Sequence, residues 1–307
     1  LRKLLVLLAL AATAALAGAC SSPEDGEGGA RKAPERAERP TAVETVQVAY
    51  KETAAEQTAK TSFEITTTGP PMDPNESGQS APMEMTITGQ GIMDFSGAAS
   101  SLTMEMFGMG NFEMRQIGNT VYMKMPEGGP AQMPGARPWI RVDLDDAYER
   151  EYGANPAQMP GGAAGDPTRQ LEYLRGVSDS VEKVGTEKVR GVQTTRYEAI
   201  LDLRKEAAGR GAEVREAQEE IIEQIGTSKL PVEVWLDDQN RVRRYAMDVA
   251  VPVPENASAP GMPEGGKMRT SMVAEYYDFG TPVEVQAPPQ EQTTDGSKMF
   301  SRQPVAR

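Results

Sequence analysis

The sequence predicts an α+β domain in which a large curved antiparallel sheet wraps around a few helices. Three observations carry that prediction. First, Met83-Glu-Met85-Thr-Ile87, Leu102-Thr-Met104-Glu-Met106 and Val121-Tyr-Met123-Lys-Met125 alternate strictly between apolar and polar residues. That is the period of a strand with one buried face, and a Met-x-Met triplet on a strand puts both thioethers on the same side. Second, short strand-like runs follow one another across turn residues such as Gly118-Asn119, which indicates an antiparallel meander. Third, two stretches have helical periodicity, one beginning at Thr41 and the other spanning Glu213 to Ile225.

Size and charge narrow the function classes. Of the 307 residues, only 38% are hydrophobic, and the 23 Pro and 30 Gly cluster in a few segments. One β-rich domain of roughly 200 to 250 residues is expected. A formal charge of −13 argues against nucleic acid as a partner, and anionic lipid headgroups would repel such a body. There is no His, the commonest general base and metal ligand. The single Cys allows no internal disulfide.

In chain order, Arg2 and Lys3 precede an apolar run, Leu4 to Ala17, and a small-residue stretch ending at Cys20. This is the pattern of a signal peptide over residues 1–20, and the run is too short to span a bilayer comfortably. The first residue is Leu, for which a trimmed or alternatively translated start is expected. Leu16-Ala-Gly-Ala-Cys20 resembles a bacterial lipobox, in which the Cys thiol receives a diacylglyceryl group and becomes the mature N-terminus. An ordinary secreted protein with an incidental Cys is the alternative. Acyl chains of the palmitate class supply stable anchoring when two are present. Residues 21–40 are polar, charged and rich in Gly and Pro, and read as a disordered tether with an r.m.s. span of roughly 25 Å.

Thr41 is a good N-cap, and Glu44 completes a capping box; Val43, Val46, Tyr50 and Ala54 form the expected stripe of that helix. Lys60 to Thr68 alternates as a strand with Phe63 and Ile65 on one side, and Gly69-Pro70-Pro71 should stop it. Ala81 to Gly97 is a long strand in one phase through Met83, Met85, Ile87, Met93 and Phe95, bent or bulged at Gly89 and Gly91. Leu102–Phe107, Asn111–Ile117 and Thr120–Met125 continue the meander. Residues 126–138 and 152–165 are Gly/Pro-rich loops flanking a short strand, Trp139–Asp143. Asp166-Pro167 starts a helix that should stop near Gly176. Val181–Val184 and Lys188–Leu203 read as strands around a Gly185-Thr turn. Glu213–Ile225 is the clearest helix, with Val214, Ile221 and Ile225 on one face and Gly226 ending it. Pro231–Leu236 and Val242–Val251 form a hairpin, Lys267–Tyr277 is a last strand, and residues 288–307 read as a disordered tail.

The chain resembles the LppX/LprAFG family of bacterial lipoproteins, relatives of the LolA/LolB fold. The resemblance is carried by the lipobox at Cys20, by the first helix running into Ser62-Phe-Glu-Ile65, and by the stretches Val184 to Tyr197, Leu230 to Asp237 and Tyr277 to Val283. Together these span about residues 42 to 286, making residues 41–287 the LppX/LolA-like domain. The resemblance implies a half-barrel of antiparallel strands with helices in its concavity and acyl chains held between the two. It also implies a role in moving lipids or lipoproteins across the cell envelope. The methionine load and the 126–165 insertion depart from the family pattern and leave the ligand open.

The Met-x-Met pairs have three readings. An ordinary sheet core is one, since burying each Met is worth roughly 1.5 to 3 kcal/mol. A lipid cavity is the second, because thioethers adapt to irregular apolar partners. Cu(I) binding is the third. On the cavity reading, the lining is Phe63, Ile65, Met83, Met85 and Ile87, then Met93, Leu102, Met104 and Met106. Val121, Met123 and Met125 follow, with Val214, Ile221 and Ile225 from the inner helix. Asp143-Leu-Asp-Asp146 lacks the spacing of a calcium loop. Ser180-Val-Glu-Lys183 lacks the companion motifs of penicillin-binding enzymes, and Gly261 to Lys267 ends in Met268 where a phosphate loop needs Ser or Thr. No catalytic residue, metal or cofactor is expected, and the protein reads as a non-enzyme. The expected protein is a lipoprotein anchored on the extracytoplasmic face of the plasma membrane. It carries a lipid or acylated ligand and works with an envelope membrane protein. The alternative is an interaction, sensor or accessory lipoprotein with a filled core.

Overall fold

The computed structural model describes residues 40–72, 81–96, 99–106, 110–124, 126, 137–144, 171, 173–208, 211–252 and 266–296. The expected signal peptide, lipobox, tether, Met125 and most of the two Gly/Pro-rich loops lie outside the described residues.

Helix α1 (Ala42–Ala55) starts as its sequence predicts: the Thr41 hydroxyl accepts from the Glu44 N–H while the Glu44 carboxylate accepts from the Thr41 N–H. Its buried stripe is rotated from the expected one. Thr45, Val46, Ala49 and Thr53 are buried and Ala54 is exposed. Thr53 explains the rotation, because its hydroxyl donates to the Ala49 carbonyl and accepts from the Val242 N–H. A hydroxyl satisfied in this way can face the core.

Strands β1 (Thr58–Met72), β2 (Ala81–Asp94), β3 (Ala99–Met106), β4 (Gly110–Ile117), β5 (Thr120–Lys124) and β6 (Trp139–Asp143) form an antiparallel meander. Strands β7 (Val177–Val189), β8 (Val192–Asp202), β9 (Lys229–Leu236), β10 (Val242–Pro252) and β11 (Lys267–Tyr277) form a second one. Pairing of β11 with β1 joins the two, and β12 (Thr293–Asp295) adds in parallel to β6. The result is one sheet of twelve strands, in the order β12-β6-β5-β4-β3-β2-β1-β11-β10-β9-β8-β7, and it does not close. Helix α2 (Leu203–Ala207) and helix α3 (Ala212–Ile225) lie between β8 and β9, and α3 ends on Gly226 in the left-handed region, as expected. A large, mostly antiparallel sheet with few helices is thus observed.

Four expectations change. β1 does not stop at Gly69-Pro70-Pro71 but runs to Met72, its register shifting between Thr68 and Pro71, so that the prolines sit at an irregularity instead of ending the strand. Gly185 is not a turn. β7 passes through it with a register shift between Lys183 and Gly185, and the hairpin forms at Arg190-Gly191, both with positive φ. Helix α2 was not expected; Asp202 caps it by accepting from the N–H groups of Arg204 and Lys205. Residues 288–296, expected to be disordered, contain a 3-10 turn (Gln290–Gln292) and β12. Their partners are distant in sequence: Arg137 donates to the Gln290 and Thr293 carbonyls, and just before the segment Arg115 donates to the Gln286 carbonyl.

Candidate functional site

The register divides the sheet into two faces. Phe63 stands opposite Gly89 on β2 and Ala274 on β11; Gly89 stands opposite Met104, and Met104 opposite Phe112. On the other side, Ala274 is opposite Tyr245, and Tyr245 opposite Val234. All of these point to the face on which α1 packs, hereafter the helix face. Gly89 is required there: a Cβ on it would fall 2.2 Å from the ring tip of Phe63, and only glycine lets the aromatic ring lie across the neighbouring strand.

Over β7–β11 the helix face is filled. Val46 and Ala49 of α1 join Phe95, Val234, Leu201 and Tyr245 in one buried cluster. Ile225 from α3 packs against it, as do Phe63 and Ile65. At the lower end, the Asp237 carboxylate is fully buried and accepts from the guanidinium groups of Arg241 and Arg243 and from the N–H groups of Gln239 and Arg241. Burial alone would raise its pKa, but the bonds from Arg241 and Arg243 outweigh burial and hold it below the usual carboxylate range. Arg241 also pairs with Glu56 at the end of α1. Both guanidiniums lie over the ring of Phe279, so hairpin, helix and chain after β11 are tied together.

Over β2–β5 the same face carries the predicted methionines. Met85 and Ile87 on β2, Met104 and Met106 on β3, and Val121 and Met123 on β5 share it by register and are half-buried. Met93 and Leu102 lie in the same phase but are fully buried, Met93 within the cluster beneath α1. Met83 lies in β2, and Val214 and Ile221 lie in α3, but their side chains are outside the described set, so their part in a lining is not placed. Phe112 and Met114 of β4 belong to this surface by register and were missed as site residues. The alternation in Phe112-Glu-Met114 is the signal that would have found them. Thioether, phenyl and aliphatic groups in adjacent rows make a deformable apolar surface with no charged side chain in phase with it on β3 or β5.

The opposite face is polar and holds two hollows of about 620 Å³ each. The first lies over Ser62, Glu64, Thr88, Gln90, Glu105 and Asn111, the second over Glu182, Glu198, Glu233, Asp248 and Ser271, and Val273 lines both. Glu275 beside the first hollow is paired with Arg190 and Arg244; burial would raise its pKa, and the two guanidiniums overcome that and lower it. Arg190 also lies over the Tyr277 ring, and Arg196 and Arg244 lie over Trp235. Among the described residues no group of three His, Cys, Asp or Glu is placed to hold a metal ion. No described helix is long and apolar enough to cross a membrane.

No family model matches the sequence. Over 217 residues, 71% of the chain, it is 23% identical to the Streptomyces coelicolor protein named "Putative lipoprotein SCO4650", and it spans 62% of that relative's length. Over 241 residues, 73% of the chain, it is 26% identical to an uncharacterized 31.2 kDa protein of the rplA–rplJ intergenic region of Streptomyces griseus, spanning 67% of it. Among solved structures it is similar to the lipoprotein LppX of Mycobacterium tuberculosis, at 12% identity over 78% of this chain and 98% of that one, with a TM-score of 0.43. It is also similar to LprF from Mycobacterium bovis, at 12% identity over 80% and 96% of the two chains, with a TM-score of 0.40. LppX and LprF carry the names of the lipoprotein family that the sequence resembles.

Proposed function

We propose that this protein is a lipoprotein anchored through Cys20 on the extracytoplasmic side of the plasma membrane. It holds a lipid or acyl chain non-covalently against the methionine-paved part of the helix face and catalyses no reaction. The observation that carries the reading is the common orientation of Met85, Met104, Met106, Met114 and Met123 across four adjacent strands. Flexible thioethers on one face suit a chain of variable shape, and an acyl chain gains about 0.8 kcal/mol per CH₂ buried against them. The lipobox and the 21–40 tether supply attachment, and similarity to a protein named as a lipoprotein agrees with it. The filled core beneath α1 supports a second reading, an accessory lipoprotein that binds a membrane protein and no lipid.

Two measurements test this. Intact-mass analysis of membrane-extracted protein should show a diacylated chain beginning at Cys20, and Cys20→Ser should release the protein from membranes. Protein made from residue 21 onward should take up a fluorescent fatty acid and release lipid on solvent extraction. A Met104→Gln/Met123→Gln variant should weaken uptake about tenfold or more, a loss of at least 1.4 kcal/mol. No extracted lipid together with no uptake favours the accessory reading.

A further inference from the structure

We propose that the face opposite the helices is a second binding surface, which docks an extended basic polypeptide segment of a partner protein in a trough running across the strands. The register places one transverse row in the two hollows. From β3 to β1 it reads Glu105, Thr88, Glu64; it passes Val273 on β11 and Ala246 on β10; and from β9 to β7 it reads Glu233, Glu198, Glu182. Each member stands directly opposite the next. Val273 lines both hollows, so they adjoin over β11, and the row crosses eight adjacent strands, about 34 Å at the usual strand spacing.

The row is costly for the sheet by itself. Like charges directly opposite on neighbouring strands are destabilising, and Glu198 stands between Glu182 and Glu233. Arg196 pairs with Glu198 and Glu233, which offsets part of the repulsion, but no ion pair is seen to Glu182, Glu64 or Glu105 among the described residues. The charge is also unevenly placed. Within the row, carboxylates sit at both ends, and Val273 and Ala246 between them are uncharged and half-buried; the charges that flank this centre, Glu275 and Asp248, are already paired with Arg190, Arg244 and Arg269. A complementary occupant therefore has cationic groups at its two ends and small or apolar residues between them. An extended peptide of about ten residues covers that length, and its backbone groups can meet Thr88, Gln90, Thr103 and Asn111 along the first hollow. This site shares no side chain with the methionine surface, so either can fail without the other.

The test uses a fluorescein-labelled peptide of about ten residues, with paired lysines at each end and alternating valine and threonine between, titrated by anisotropy at about 0.1 M and about 0.5 M salt. Saturable binding that weakens with salt is expected. Glu64→Gln/Glu105→Gln and Glu182→Gln/Glu198→Gln should each weaken it about tenfold or more. Glu216→Gln/Glu220→Gln removes the same charge from exposed positions of α3 and should change it by less than about twofold. Circular dichroism melting reports whether each variant folds. An equal loss in the α3 variant means general attraction to an acidic body and overturns the proposal. So does the absence of saturable binding, or displacement of the peptide by equimolar calcium, which would make the trough a cation site.

Discussion

The two halves of the sheet are written in the same alternating pattern and present it to the same face, yet they end in different states. Over β7–β11 that face is sealed: Val234 is 0% and Tyr245 2% exposed, with Val46 and Ala49 of α1 packed over them. Over β2–β5, Met85, Met104, Met106, Met114 and Met123 occupy the equivalent places and are half-buried. Alternation sets which way a side chain points; it does not set what covers it. Coverage here comes from α1, whose Thr53 docks on the first amide of β10 and whose terminal Glu56 pairs with Arg241. The sealed half holds the fold together, and the methionine half has apolar surface left to offer.

The largest expected effect tests whether stability resides in the sealed half. Asp237→Ala leaves Arg241 and Arg243 without the buried carboxylate that both contact. Breaking such a pair costs about 3 to 5 kcal/mol, and the urea midpoint should fall accordingly with little change in slope. The same carboxylate sets an acid dependence. Its folded pKa lies below its unfolded value, near 3.9. Its contribution is therefore fully present above about pH 5 and is lost as pH falls through the unfolded and then the folded value. Glu275, also lowered, acts in the same direction. Asp237→Asn should flatten the acid limb of a stability–pH curve, and an unchanged limb would remove Asp237 as its source.

A matched pair of truncations comes next. Leu201 is 2% exposed, in the cluster under α1, and Leu201→Ala should cost about 3 kcal/mol, within the range for buried leucines. Met104 is half-buried, so Met104→Ala should cost about 1 kcal/mol. Equal costs would erase the distinction between the halves and make the methionines ordinary core.

The same distinction explains what could be read from the sequence. The Thr41–Glu44 capping box, the Gly118-Asn119 turn, the Gly226 cap and the hairpin between Leu236 and Val242 were legible because each is a local arrangement of a few residues. The shared face of the methionines was legible because strand period is local too. What stayed hidden depends on distant partners. Nothing near Thr53 announces that Val242, far along the chain, will donate to its hydroxyl, so the α1 stripe was placed off by part of a turn. Nothing in residues 288–296 announces a strand, because β12 exists through β6 and the cation Arg137. The transverse glutamate row needs the pairing of eight strands before it can be seen at all.

The smallest effect on stability gives the finest test of the comparison. Peroxide converts methionine to its sulfoxide, a polar group, and attacks the sulfur it can reach. Met93 and Met272, 1% and 8% exposed, lie in the sealed cluster; Met104, Met106, Met114 and Met123 do not. Under mild peroxide, peptide mass spectrometry should find the second group oxidised several-fold sooner, while the melting temperature hardly moves, because no buried sulfur has yet been made polar. A bound fatty acid should slow the second group alone, since it covers those sulfurs and adds nothing over Met93 or Met272. Oxidation of all six at one rate would mean that the sulfurs are equally sheltered, and the apolar surface on which lipid carriage depends would not be there to bind it.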